Sequence, residues 1–213
     1  MARRVLALLL LAACARSDRP LLLAAASLGR VVPEIVGAEP VRASFAATSM
    51  LARQIERGLD ADVFVSADRL WVDHLKERGI GVREAVFARN RLVAWVRAGG
   101  SRELADMRRI AVGAEGVPVG RYAREALLGR GVDDRLLPCR DAPAVMAALL
   151  AGEADAAIAY ATDGDGRCEI AFELDAEVTY WALLCRERPE AESLFALLGS
   201  PRARGILERH GFR

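Results

Sequence analysis

The sequence predicts an α/β protein made of two small lobes facing each other across a cleft. Short unbroken apolar runs, each leading into an amphipathic segment, predict the α/β part; L-L-L-A-A at residues 21–25 is the first of them. Such runs suit parallel strands covered on both faces, because a strand with one wet face alternates apolar and polar residues. The return of the same strand-to-helix junction after a long extended stretch near residues 86–96 predicts the second lobe. The 213 residues suffice for one α/β domain or for two small lobes.

Taken in order, residues 21–25 read as a first strand and residues 28–36 as a short helix weakened by Pro33. A second strand over 41–45 and a helix over 50–57 follow, the latter with Met50, Leu51 and Ile55 on one side. Residues 62–66 form a third strand, and Asp68 is placed to cap a helix running to about Arg78. The extended segment 86–96, broken by Arg89-Asn90-Arg91, reads as a crossing between lobes, with a second crossing after Tyr160. In the second half, residues 109–112 are a strand, and Pro118 opens a helix that Tyr122, Ala126 and Leu127 continue. Residues 129–138 read as a break, 143–150 as a helix, and 154–160 as a buried strand. Strands over 169–172 and 178–185 and two closing helices over 189–198 and 202–210 complete the chain. The expected organisation is residues 21–84 with 168–213 in one lobe and 85–167 in the other.

The composition, 53% hydrophobic and 28% charged, excludes a disordered chain. Basic residues number 30, of which only Lys76 is lysine, and they are scattered among acids with no basic block, so no nucleic-acid partner is expected. The start is separate: Arg3 and Arg4 precede a short apolar run that stops at Cys14, which is too short to span a bilayer and is flanked as an export signal is. L-A-A-C at residues 11–14 resembles the bacterial lipoprotein processing site, which implies removal of residues 1–13, lipid attachment at Cys14 and a short tether over 14–20. Losing Arg3 and Arg4 takes the formal charge from +1 to −1. Export implies an oxidising compartment, where Cys139 and Cys168 could pair while Cys185 reads as a buried strand thiol. With two histidines and no metal-type cysteine spacing, a zinc site is not expected. The acids after Tyr160 lack the spacing of a calcium loop.

The chemistry the sequence offers is a set of hydroxyls at strand ends. Ser27 and Thr48 each follow a strand, where helix amino termini present unpaired N–H groups, so each can either cap its own helix or donate to an anion. Across the cleft, the 117–120 loop, the start of the 143–150 helix and Tyr160 offer a second wall of neutral donors. Ser27 lies in no nucleophile elbow, and the two histidines lie in surface patterns, so a hydrolase or lyase is a minor alternative.

The runs A-A-A-S-L at 24–28, S-F-A-A-T-S-M-L-A-R-Q-I-E at 44–56, A-D-V-F-V-S-A-D at 61–68, V-P-V-G-R-Y-A at 117–123 and G-E-A-D-A-A-I-A-Y-A-T-D at 152–163, with R-G-I-L-E-R-H-G-F at 204–212, together resemble the periplasmic molybdate-binding proteins of bacterial ABC importers. The resemblance spans nearly the whole mature chain. It implies the two-lobed periplasmic binding protein fold, no cofactor and no catalysis. It also implies molybdate or tungstate held through its oxygens without direct protein–metal bonds, and delivery as a monomer to an ABC permease with its ATPase. Carried over motif by motif, the ligand-binding residues are Ser27 and Thr48 through their hydroxyls, Val119 and Ala142 through N–H groups, and Tyr160 through its phenol. Three departures stand out: the segment between Ser27 and Phe45 and the segment before Ala142 are shortened, and the loop after Tyr160 is compact. Sulfate, another tetrahedral dianion, is the nearest alternative cargo.

Overall fold

The structure, a computed structural model, describes residues 19–213, so the apolar start and Cys14 lie outside the described residues. Among the described residues, eight strands form one sheet: β1 (Leu21–Ala25), β2 (Arg42–Ala46), β3 (Val63–Ser66), β4 (Arg83–Arg97), β5 (Ile110–Gly113), β6 (Leu136–Cys139), β7 (Ala156–Tyr160) and β8 (Cys168–Leu184). Their order is β2-β1-β3-β8-β4-β7-β5-β6. Seven helices accompany them: α1 (Val31–Val36), α2 (Thr48–Glu56), α3 (Leu70–Lys76), α4 (Pro118–Leu127), α5 (Ala142–Leu150), α6 (Pro189–Leu198) and α7 (Pro201–Arg209). The fold is the mixed α/β class that the alternating runs predict.

Each end of the sheet is parallel and covered on both sides. In β1, Leu22 and Ala24 face the layer holding Val32 and Ile35 of α1 and Ile206 of α7, whereas Leu23 faces Leu51 of α2 and Trp71 of α3. A strand's side chains alternate between faces, so one apolar run feeds two cores. The β7 end repeats the arrangement: Ile158 and Tyr160 face the layer of Ala123 and Leu127 on α4, and Ala157 and Ala159 face Val145 and Leu149 on α5. The two ends are joined by β4 and β8, which run antiparallel to each other through the middle. Beside β3, Arg83–Val86 pair with 181–184; beside β7, 93–97 pair with 168–173. Between them the register shifts at Val86/Ala88 and again at Arg91/Val93, bracketing the polar Arg89-Asn90-Arg91 segment. Ion pairs Arg89–Glu177 and Arg91–Glu173 tie the two strands across this irregular centre.

Several expectations from the sequence need correction. The helix expected over 28–36 is shortened to Val31–Val36 after a 3-10 turn over Ala26–Leu28; Pro33 fits because a first-turn nitrogen has no intrahelical acceptor to lose. The break expected at 129–138 contains β6, an edge strand that tolerates Pro138 because one side needs no ladder bonds. The two strands expected at 169–172 and 178–185 are the single long β8, since β4 supplies a partner along its whole length. Cys139 and Cys168 do not pair: both are free thiols. They sit on β6 and β8, four strand spacings apart in the sheet, on the order of 20 Å, far beyond what a disulfide bridges. Cys185 is also free and lies just past the end of β8, half-buried, with burial pushing its thiol up to about 12.

Candidate functional site

Ser27 and Thr48 do not cap helices. Neither the 3-10 turn nor α1 nor α2 has a side-chain cap bond at its start. Thr48 is instead the first residue of α2, and its Oγ1 accepts the backbone N–H of Ala67 at 3.3 Å, which leaves the hydroxyl proton free. Ser27 Oγ lies 2.9 Å from the phenol oxygen of Tyr180, a residue of β8 that the sequence reading passed over.

Both hydroxyls meet the opposite wall in one small cavity at the carboxyl ends of the parallel strands. Ser27, Thr48, Val119, Ala142 and Tyr160 all line it, with Ala67 and Pro118 among the remainder, and every lining residue is uncharged. All five residues singled out from the sequence are thus brought together. The cavity's volume is about 20 Å³, which, with a solvent molecule's own radius added around it, corresponds to a ball of about 3 Å radius. A tetrahedral oxyanion with a heavy central atom has that reach. Thr48, Val119 and Tyr160 are 1% exposed, and Ser27 is half-buried. A groove of about 500 Å³ lined by Pro20, Pro40, Pro189 and Leu194 is far larger, but it opens at the amino end of β1, away from the convergent donors.

The donors follow from where the helices begin. Thr48 opens α2, Val119 follows Pro118 in the first turn of α4, and Ala142 opens α5. First-turn N–H groups have no intrahelical acceptor, and the helix dipole adds partial positive charge there. In α5 the choice narrows further. Asp141 Oδ1 takes the N–H of Ala144 at 2.9 Å and Pro143 has none to give, so Ala142 keeps the free amide. Pro143 therefore leaves Ala142 as the free first-turn amide beside the cavity.

Tyr160 is fixed from both sides of its backbone. Its N–H donates to Asp163 Oδ2 at 3.0 Å, and its carbonyl accepts from Trp95 Nε1 at 3.0 Å. Burial holds its phenol well above the usual range, so it stays protonated and able to donate. The compact loop after it is possible because Gly164 lies flat against the Trp95 indole, where a Cβ would collide. Burial also raises the Asp163 carboxyl to about 7.

Two contacts cross between the halves beside the cavity. Arg121 on α4 reaches Asp68, just before α3, at 3.2 Å; Asp68 is 1% exposed and burial raises its carboxyl. Arg30 donates to the Asp163 carbonyl at 3.0 Å. Sequence reasoning missed Tyr180, Asn90, Trp95 and Arg121. Only Tyr180 carried a usable signal, since a tyrosine inside an apolar strand needs a partner for its hydroxyl.

Two joined α/β half-sheets with neutral hydrogen-bonding groups between them have the frame of a solute receptor. Residues 23–213 match the family model described as bacterial extracellular solute-binding protein, and the chain belongs to that family. Within it, the chain is 30% identical to the molybdate-binding protein ModA of Escherichia coli over 81% of this chain and 77% of that protein. Among solved structures, the periplasmic molybdate-binding protein of Azotobacter vinelandii superposes with a TM-score of 0.78 at 17% identity, covering 92% of this chain and 99% of that one. The sulfate-binding protein SubI of Mycobacterium tuberculosis also reaches 0.78, at 13% identity, covering 92% and 86%. These two structural likenesses establish the fold, which serves more than one oxyanion. The protein is a binding protein and not an enzyme.

Proposed function

We propose that the protein captures molybdate, with tungstate as an equivalent cargo, in the central cavity and hands it to an ABC permease and its ATPase. The observation that carries the proposal is the set of neutral donors, Ser27, Thr48, Val119, Ala142 and Tyr160, around a cavity the size of one tetrahedral oxyanion. A dianion buried among fixed N–H and O–H dipoles is compensated without a counter-charge, and exclusion of water strengthens each bond. Residues 21–84 with 168–213 form one lobe in this reading and 85–167 the other, opening and closing about the irregular centre of β4 and β8. The pairing of 168–173 beside β7 favours moving the start of β8 into the second lobe. Presenting both lobes to a permease suits a monomer. Cys14, once lipidated, would tether the protein outside the cytoplasm.

Calorimetric titration with molybdate, tungstate, sulfate and phosphate tests the cargo. Tight binding of the first two is expected; tight binding of sulfate alone would reassign the cargo, and no binding of any would sink the oxyanion reading. The anchor has its own test: Cys14→Ser is expected to release the protein from membranes, and unchanged lipidation of that variant would reject the anchor.

A further inference from the structure

We propose that Tyr180 is a positioning residue for Ser27: it donates to the serine oxygen, turns the serine proton into the cavity and so restricts the site to ligands that carry no proton. The proposal rests on the oxyanion reading above and deepens it. In the Ser27–Tyr180 bond of 2.9 Å either oxygen can donate, so the surroundings of the phenol decide the direction. Tyr180 is fully buried, and among the described residues Ser27 Oγ is the acceptor within hydrogen-bond distance of its phenol, so a proton turned away from Ser27 would be buried without a partner. Asn90 is engaged elsewhere, its Oδ1 accepting the Arg91 N–H at 2.8 Å and its Nδ2 donating to Thr162 Oγ1 at 2.9 Å. A serine that accepts from Tyr180 has its own proton free for the ligand. Donation thus runs from Tyr180 to Ser27 and into the cavity.

Tyr180 cannot turn away: it is 0% exposed, and its ring sits edge-on to Tyr160 at 5.8 Å and to Phe212 at 5.6 Å. Thr48 is held in the same sense from the other side, because the Ala67 amide occupies its oxygen. Both hydroxyls therefore present protons. Molybdate or sulfate, fully ionised, meets every donor with a lone pair. Phosphate carries at least one proton at neutral pH, and that proton faces a donor and finds no acceptor, which costs binding.

The test is calorimetry, with phosphate competition, on the full chain as wild type, Tyr180→Phe, Ser27→Ala and the double variant. Tyr180→Phe keeps the ring and frees the serine to turn its lone pair inward, so molybdate affinity should fall about fivefold and the margin over phosphate should narrow. In the Ser27→Ala background the same change should shift affinity less than about twofold, because there is no hydroxyl left to orient. Should Tyr180→Phe not fold, Tyr180→Met, whose flexible side chain adapts to a core site, carries the test with the same loss of affinity and the same narrowing. Unchanged affinity in Tyr180→Phe, an equal loss in both backgrounds, or a loss that leaves the molybdate-to-phosphate margin intact would each overturn the role of Tyr180. A wild-type protein that binds no oxyanion would instead remove the reading beneath it.

Discussion

Thr48 accepts the Ala67 amide and Ser27 Oγ bonds the Tyr180 phenol, so each hydroxyl is held in place before any ligand arrives. Pre-set donors lose little entropy on binding, and a bond to an ionised ligand is worth roughly twice a neutral one. Ser27→Ala is therefore expected to weaken molybdate binding by about tenfold or more, read by titration, with the fold intact by circular dichroism; undiminished affinity would remove Ser27 from the site. Asp163 makes a different prediction. Burial raises its carboxyl from 3.8 to about 7, so across that interval the folded protein holds a proton that the unfolded chain has released. Its contribution to stability is full below the lower value and is lost as pH rises to the upper one. Asp163→Asn removes this slope, and the stability difference between variant and wild type in denaturant titrations should grow in the variant's favour toward neutral pH. Parallel profiles would contradict it.

At the scale of elements, α4 is the piece that brings a donor and a crossing contact to the same place. Its first turn lies so close to β5 that a Cβ on Gly120 would run into the carbonyl oxygens of Gly113 and Ala114. Gly120→Ala must push the helix start outward and carry the Val119 amide with it, so both thermal stability and oxyanion affinity should drop; unchanged affinity would separate Val119 from the ligand. The next residue, Arg121, meets Asp68 across the halves. Removing the arginine strands a buried carboxylate, whereas removing both charges does not. Since Arg121 is 32% exposed, Arg121→Gln should cost about 2 kcal/mol, below the range for fully buried pairs, and adding Asp68→Asn should recover most of it in urea unfolding. Additive losses would show that the two side chains act independently.

Across the whole molecule, the candidate site belongs to neither end of the sheet alone. Strand ends of β1, β2 and β3 supply one wall and the starts of α4 and α5 with the end of β7 supply the other, so a ligand that joins the walls stabilises the closed form of the entire chain. Molybdate at a hundred times its dissociation constant should raise unfolding free energy by about 2.7 kcal/mol, seen as a higher melting temperature that phosphate does not reproduce. Equal shifts with both anions would argue for a nonspecific salt effect.

Much of this was legible in the chain. The apolar runs at 21–25, 62–66 and 154–160 became β1, β3 and β7 with small shifts at their ends, because a strand buried on both faces has no other composition open to it. Pro118 marked the start of α4, since proline suits a first turn. Harder to see were β6, whose edge position excuses its proline, and the continuity of β8, whose polar middle is tolerated only because β4 lies alongside. The family motifs pointed to the five residues that now share a cavity.

The sequence by itself determined the alternation of strands and helices, the extracellular solute-binding family and the residue types able to donate to an anion, all of which are local or cumulative properties of the chain. Only the tertiary structure decided what each donor does with its other bonds. Ser27 is 153 residues from Tyr180, Asp68 is 53 from Arg121, and Asn90 is 72 from Thr162. Hydrogen-bond direction depends on which partner reaches an oxygen first, and those partners arrive from strands that meet only when the sheet closes.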